Sequence, residues 1–336
     1  HPVGTGPFVL QSWQKATDTV VLARNPYYFR TGKPYVDQVV VSYNMPSSLI
    51  ALKIEKGELD GYGSDSEVAG TDVKQARSDP RYMHYLVPAP LTWVFWLDID
   101  VRIAPMTNLM LRQAVAMAID RQRLVQLQGG QATPAYQLYV ALDPQHDPSL
   151  DQHPAYPFDP RKAAALVKAS GYHGQPIVIL YFTPGGDVRG PEVIQQDLQQ
   201  IGLTVSLRAV PNISAQSVMS STQGHNLQTG SWSIDFPDAY DLYSGQFACS
   251  DNTATGTSGA HYCDPTADNL VAKAQSLSFG AARTALLREA QLRLLRSAAY
   301  VPLYYFKSID MVSPRVGGFY YEPIYGWVLE DYWVSS

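Results

Sequence analysis

Along the chain, apolar positions recur with the period of strands in some segments and of helices in others, and the early segments show both. TVVLAR (19–24) and VDQVVVSY (36–43) predict strands, separated by the turn residues Asn25, Pro26, Gly32 and Pro34. SSLIALKIEKGELDG predicts a helix, since Leu49, Ile50, Leu52 and Ile54 follow a serine cap and Gly57 stops it. YMHYLVP and LTWVFWLDI predict two further strands, the second almost wholly apolar and therefore buried. The first section is α/β.

From Thr107 to Gln128 the stripe of Leu111, Ala114, Val115, Ala118, Ile119 and Val125 predicts one helix, closed by Gly129 and Gly130. A proline-rich connection runs from Pro134 to Pro157. Asp159 and Pro160 then supply the cap and first turn of RKAAALVKAS, which ends at Gly171. IVILYF, PEVIQQDLQQIG and LTVSLRAV read as strand, helix and strand, and such a crossover implies a parallel pair. The next strand ends in WSID. Residues 244–264 hold few apolar side chains, whereas 265–299 read as helical, with Leu286, Leu287, Ala290, Leu294 and Leu295 in a stripe. YVPLYYF and the aromatic tail to Trp333 return to extended structure. Two α/β regions and a tail able to rejoin the first fit a discontinuous two-lobe layout.

Composition narrows the class. With 336 residues, 46% hydrophobic and 16% charged, the chain can bury one large core or two medium ones. Its net charge of −5 comes without any basic run that could follow a nucleic-acid backbone or an anionic membrane, so neither partner is expected. No stretch approaches the roughly 18 to 20 uncharged apolar residues of a membrane span. HPVGTGPF lacks the charged and apolar regions of a signal peptide, so a signal has been removed or the chain starts late.

The two cysteines, Cys249 and Cys263, lie in a polar stretch without CxxC spacing or a nearby histidine pair. A disulfide is the simplest reading, and two unrelated thiols are the alternative. Closing such a loop would remove roughly 3 kcal/mol of unfolded-chain entropy, and the bond persists in oxidising compartments.

Catalytic and metal signatures are not found. GSWSI is not the GxSxG elbow, TGK at 31–33 lacks the upstream glycine of a phosphate loop, and GTG lacks the third glycine of a dinucleotide fingerprint. The histidines are scattered, and His146 and His153 have no companions at metal spacing. No cofactor or metal is expected, and the chain is not expected to be an enzyme.

Several segments in order carry a resemblance: GTGPFVLQSW, RNPYYFRTGKPYVDQVVV, LIALKIEKGELDG, LRQAVAMAIDRQRLV and YPFDPRKAAALVKASGY, then WSIDFPDAYDLY, CDPTADNLVAKAQS and YVPLYYF. The chain resembles the peptide and nickel class of ABC-importer solute-binding proteins, the dipeptide- and oligopeptide-binding group. The resemblance implies an α/β, two-lobe periplasmic-binding-protein-like fold with a hinge. By analogy lobe two runs over residues 98–302, and residues 1–97 with 303–336 form lobe one, with crossings near Trp96 and Leu303. In that family GTGPF lies well inside the chain, whereas here it begins at Gly4. The resemblance therefore implies an N-terminally incomplete lobe one, whose apolar surface another chain or the missing N-terminal segment would cover.

By the same resemblance Asp235, in the family's W-x-x-D pattern, matches the acid that pairs with a peptide's amino group. A carboxylate suits an ammonium, which donates up to three charge-assisted hydrogen bonds. The plainer reading makes Asp235 and Asp238 turn formers around Pro237. Arg189 is the candidate for the ligand's carboxylate, because a guanidinium grips two oxygens at once; a solvated loop arginine is the alternative. Trp232 and Tyr181 at strand ends suit an aromatic wall or ordinary packing. Tyr240, Tyr243 and Phe247 are assigned to packing.

The function implied is capture of a short peptide or similar small solute between two lobes and its delivery to the membrane subunits of an ABC importer. The setting is the periplasm or the outer face of the cytoplasmic membrane, by export or lipid anchor. A regulatory or scaffolding lipoprotein of the same fold is the alternative.

Overall fold

The computed structural model describes residues 4–62, 70–182, 188–210, 224–253 and 256–335. The chain divides into two units, His1–Pro90 with Lys307–Ser336, and Leu91–Phe306. The sequence reading set the crossings at 97/98 and 302/303. Both pairs of positions lie within long strands, Leu86–Ile99 and Tyr300–Met311, which run through them without a break in the backbone pairing pattern that would mark a joint in the sequence.

In the first unit, β1 (Phe8–Gln14), β2 (Thr19–Arg24) and β3 (Gln38–Ser42) form an antiparallel sheet in the order β1-β2-β3. Trp13 pairs with Val20 and Val20 with Val41, while Leu10 pairs with Leu22 and Leu22 with Val39. These six side chains therefore share one face, which the bulge between Leu10 and Ser12 keeps in phase. None of the residues in the three strands is buried, and Trp13 and Val41 are 58% and 41% exposed.

The unit's core lies elsewhere: Ala51 and Ile54 of the helix Ser47–Glu55 and Val73 of the helix Gly70–Ser78 pack with Tyr62, Ile309 and Met311. The expected serine cap is absent, because Pro46 occupies the cap position without a side-chain bond. The Ser47 hydroxyl instead donates to Asp72 Oδ2 at 2.8 Å, joining the two helices. Leu49 and Leu52 are exposed, so the apolar stripe is narrower than the pattern suggested.

The strands expected at YMHYLVP and LTWVFWLDI are one strand, β4 (Leu86–Ile99), preceded by a tight turn at Met83–Tyr85. Pro88 and Pro90 forgo only their N–H and the strand runs through them. With β4 settled, the second unit's sheet comprises β5 (Ala132–Pro134), β6 (Ile177–Phe182), β7 (Val205–Val210), β8 (Leu227–Ser233) and β9 (Tyr300–Met311) besides β4, in the order β5-β9-β4-β8-β6-β7. As expected of the crossover, β6 is parallel to β7; it is also parallel to β8, while β4 and β8 are antiparallel.

The core of this unit joins Leu97, Ile99, Ile177, Ile179 and Leu227 of the sheet to Leu111, Val115, Val167, Ile194 and Leu198 of three helices, Leu109–Ala118, Pro160–Ala169 and Arg189–Gln200. Asp159 caps the second of these through Lys162 N, with Pro160 in the first turn, as the sequence predicts. The single helix expected from Thr107 to Gln128 is two, Leu109–Ala118 and Arg121–Leu127. Asp120 takes an extended conformation between them and its side chain accepts from Gln122 N and Arg123 N, starting a new helix. Likewise 265–299 is two helices, Pro265–Gln275 and Ala281–Ser297, divided before Gly280 at φ 154°. No helix among the described residues is long and apolar enough to cross a membrane.

Candidate functional site

Strand alternation divides the sheet of the second unit into two faces. Leu227, Ile177, Ile179, Leu97 and Ile99 point into the helical core. Gln228, Gly230 and Trp232 of β8 point the other way, opposite Asp98, Trp96 and Val94 of β4. On that second face the Asp98 carboxyl accepts from Trp96 Nε1 at 2.7 Å and from Gln228 Nε2 at 3.3 Å. Burial pushes this carboxyl up to about 7, against the pull of those two donors. A Cβ at Gly230 would stand 2.6 Å from Trp96 Nε1, so the glycine lets the indole reach Asp98. Trp96 packs edge-on against Phe247 at 5.5 Å, and Phe247 lies 4.5 Å from Tyr300. Tyr243 and Phe247 are buried, in keeping with a packing role.

The end of β8 carries the residues singled out from sequence. Asp235 lies beyond the strand, which closes at Ser233, and its side chain is exposed. The last rung of the ladder is Ile234 N to Thr92 O at 3.1 Å. Asp235 N then donates to Asp241 Oδ2 at 2.7 Å, and Trp232 Nε1 donates to the same oxygen at 3.1 Å. Asp241 is buried in the helical turn Tyr240–Leu242. Burial raises its carboxyl, the N–H of Asp235 and the indole of Trp232 pull it down, and the charge of Asp235 adds to the rise.

Asp238 is more than a turn former. Its carboxylate accepts from Arg283 Nη2 at 2.9 Å and Nε at 3.3 Å, and from Gln145 Nε2 at 3.3 Å. Gln145 Oε1 in turn accepts from Ala239 N at 3.1 Å, so the 238–241 turn is anchored at several points. Burial and the nearby charge of Asp238 push the Asp143 carboxyl up to about 7.

The other two expected residues are placed differently. Tyr181 on β6 alternates with Ile177 and Ile179, so it points to the core side, opposite to Trp232, and is buried. Arg189 opens the helix Arg189–Gln200 with an exposed side chain, and residues 183–187 of its loop lie outside the described residues. Because β6 and β8 are parallel, their carboxyl ends lie along one edge of the sheet. Trp93 and Phe95 of β4 pair with Ser233 and Ser231 towards that edge. Their rings stack at 5.9 Å, and Phe95 stacks on Tyr304 at 4.7 Å.

The sequence reading passed over this stack, since LTWVFWLDI looked uniformly buried. It also passed over Asp241, although the aspartates at 235, 238 and 241 recur every three residues.

Cys249 and Cys263 form a disulfide. It joins the turn Cys249–Asp251 to the residue before Asp264, the cap of the helix Pro265–Gln275. Among the described residues no group of three or more His, Cys, Asp or Glu side chains is placed to hold a metal ion.

The fold is that of solved periplasmic binding proteins. The chain belongs to the bacterial extracellular solute-binding proteins, family 5 Middle, matched over residues 1–254. It is 28% identical over 331 residues to the probable di/tripeptide-binding protein 5 of Pseudomonas aeruginosa strain UCBPP-PA14, covering 96% of this chain and 60% of that one. It is 26% identical over 350 residues to the glutathione-binding protein GsiB of Salmonella choleraesuis, covering 98% and 64%. Helicobacter pylori DppA, solved with the peptide STSA, superposes with a TM-score of 0.86 at 23% identity, over 100% of this chain and 64% of that one. The dipeptide-binding protein of Pseudoalteromonas sp. SM9913, solved with Met-Leu, gives 0.85 at 21% identity, over 99% and 65%. The chain thus spans 60% of the length of the first of these relatives.

Proposed function

We propose that this chain captures a short peptide or similar small solute, without turnover, for delivery to the membrane subunits of an ABC importer. The observation that carries the reading is the parallel pairing of β6 and β8, whose carboxyl ends lie along one edge of the sheet, with Trp232 and Asp235 at the end of β8. Ligands of open α/β sheets bind outside the carboxyl ends of the strands. In this reading the exposed Asp235 carboxylate receives the ligand's ammonium, and Trp232 supplies an aromatic wall. Arg189 takes the ligand's carboxylate, whereas Tyr181, buried on the core side, is left to packing.

The ligands after which these relatives are named, di- and tripeptides and glutathione, share a free amino group and a compact size, which supports the same class here. Work outside the cytoplasm, with the protein exported or lipid-anchored, suits the disulfide, since such bonds persist in oxidising compartments. Calorimetry against di- and tripeptides, glutathione included, tests the reading. At least one free peptide should bind, and Asp235→Asn should weaken it about tenfold or more, the scale of one charge-assisted bond. No binding across the set, or unchanged affinity in the variant, would remove the assignment.

A further inference from the structure

One oxygen of one buried side chain receives both residues proposed to meet the ligand. Asp241 Oδ2 accepts from Asp235 N at 2.7 Å and from Trp232 Nε1 at 3.1 Å. Asp235 follows the strand on a bend, after the ladder has ended at Ile234, so the contact with Asp241 orients the peptide that carries its carboxylate. The indole is held at two places. Its N–H meets Asp241, and its far edge lies against Gly245, where a Cβ would stand 3.1 Å from Cη2 of Trp232.

Asp241 is itself set from below. Its backbone N–H donates to Asp238 O at 2.9 Å, and Asp238 is clamped by the buried Arg283. Ser244 Oγ donates to Asp241 O at 3.2 Å from the other side. A rigid chain of contacts thus runs from Arg283 through the 238–241 turn to the exposed carboxylate. Precise placement of a charged acceptor matters because a charge-assisted bond is both strong and short, and a misdirected carboxylate forfeits most of it.

We infer that Asp241 is the positioning residue of this site: without touching the ligand, it fixes the Asp235 carboxylate and the Trp232 indole in the geometry that receives an ammonium group. The role of the ammonium rests on the function proposed above, whereas the fixing of the indole does not. Asparagine can keep the accepting oxygen in place, whereas alanine removes it.

The test has two arms, on the whole chain. In the first, Met-Leu and N-acetyl-Met-Leu are titrated into the protein and its variants. The parent should prefer the free peptide about tenfold or more. Asp241→Ala should bring that preference close to one, and Asp241→Asn should restore most of it. A folded Asp241→Ala protein that keeps the full preference overturns the inference.

The second arm needs no ligand. The ¹⁵N-indole resonance of Trp232, assigned by its loss in Trp232→Phe, should shift and lose protection from hydrogen exchange in Asp241→Ala but not in Asp241→Asn. An unshifted and protected resonance in the alanine variant overturns the inference by itself. Should that variant fail to fold, Asp241→Ser, whose oxygen falls short of both donors, is read in the same way. If the parent binds Met-Leu without preferring its free amine, the proposed role of Asp235 fails, and the indole arm still decides whether Asp241 fixes Trp232.

Discussion

Arg283 and Asp238 are both buried, and the guanidinium grips the carboxylate with Nη2 at 2.9 Å and Nε at 3.3 Å. Taking two charges out of water is costly, and once buried each depends on the other. Arg283→Met should destabilise the protein by about 3–5 kcal/mol, because Asp238 is left without its cation. Urea unfolding measures this. Adding Asp238→Leu to the same chain should recover much of the loss, since a matched apolar pair removes the stranded charge.

Stability should fall as pH rises from about 4 to 7. The Asp98 and Asp143 carboxyls are pushed up to about 7 by burial, whereas in the unfolded chain they titrate near 3.9. Between those values the native state holds protons that the unfolded state has released, so raising the pH favours unfolding. The contribution is complete below the unfolded value and lost as pH passes the folded one. Asp98→Asn keeps an acceptor for Trp96 and should flatten part of the slope, as thermal unfolding across pH 4–8 would record. An unchanged slope would refute the assignment to Asp98.

Reduction of Cys249–Cys263 should lower stability by roughly 3 kcal/mol, the chain-entropy figure for a loop closing over a separation of 14 residues. Comparing unfolding midpoints with and without reductant, and in Cys249→Ser with Cys263→Ser, checks it. Both perturbations should give the same shift.

Gly230→Ala should be costlier than an ordinary strand substitution. The added Cβ would meet Trp96 Nε1 at 2.6 Å, and Trp96 is buried and bound to Asp98. Loss of about 1–3 kcal/mol is expected from such overpacking. A Tm equal to that of the parent would show that the indole can shift without losing Asp98.

What could be read from the sequence follows the range of the interactions involved. Asp159 with Pro160 and the burial of Leu287, Ala290 and Leu294 depend on neighbours within a few turns, and the parallel pair formed by IVILYF and LTVSLRAV on the single crossover helix between them. The division of helices at Asp120 was missed because the apolar stripe stays in phase across it and only the cap reveals the break. Of the proposed site, Trp232 and Asp235 were named from the sequence through a motif. Asp241 was not, because its importance lies in which donors reach one oxygen, a matter of how the turn folds back on β8. The separation of Tyr181 from Trp232 was equally hidden, since it depends on the lateral register of β6 against β8.

The three-stranded sheet of the first unit holds no buried residue, although Leu10, Trp13, Val20, Leu22, Val39 and Val41 share a face. Its strands are joined by backbone bonds but gain little from the removal of apolar surface, which supplies most of the cooperativity of a fold. Amides in this sheet should accordingly trade their protons with solvent well before those of β4 and β8, opening as a separate patch while the second unit's core stays closed. Any surface that came to lie on that face would slow the exchange there first, so the sheet's own amides report whether it has been covered.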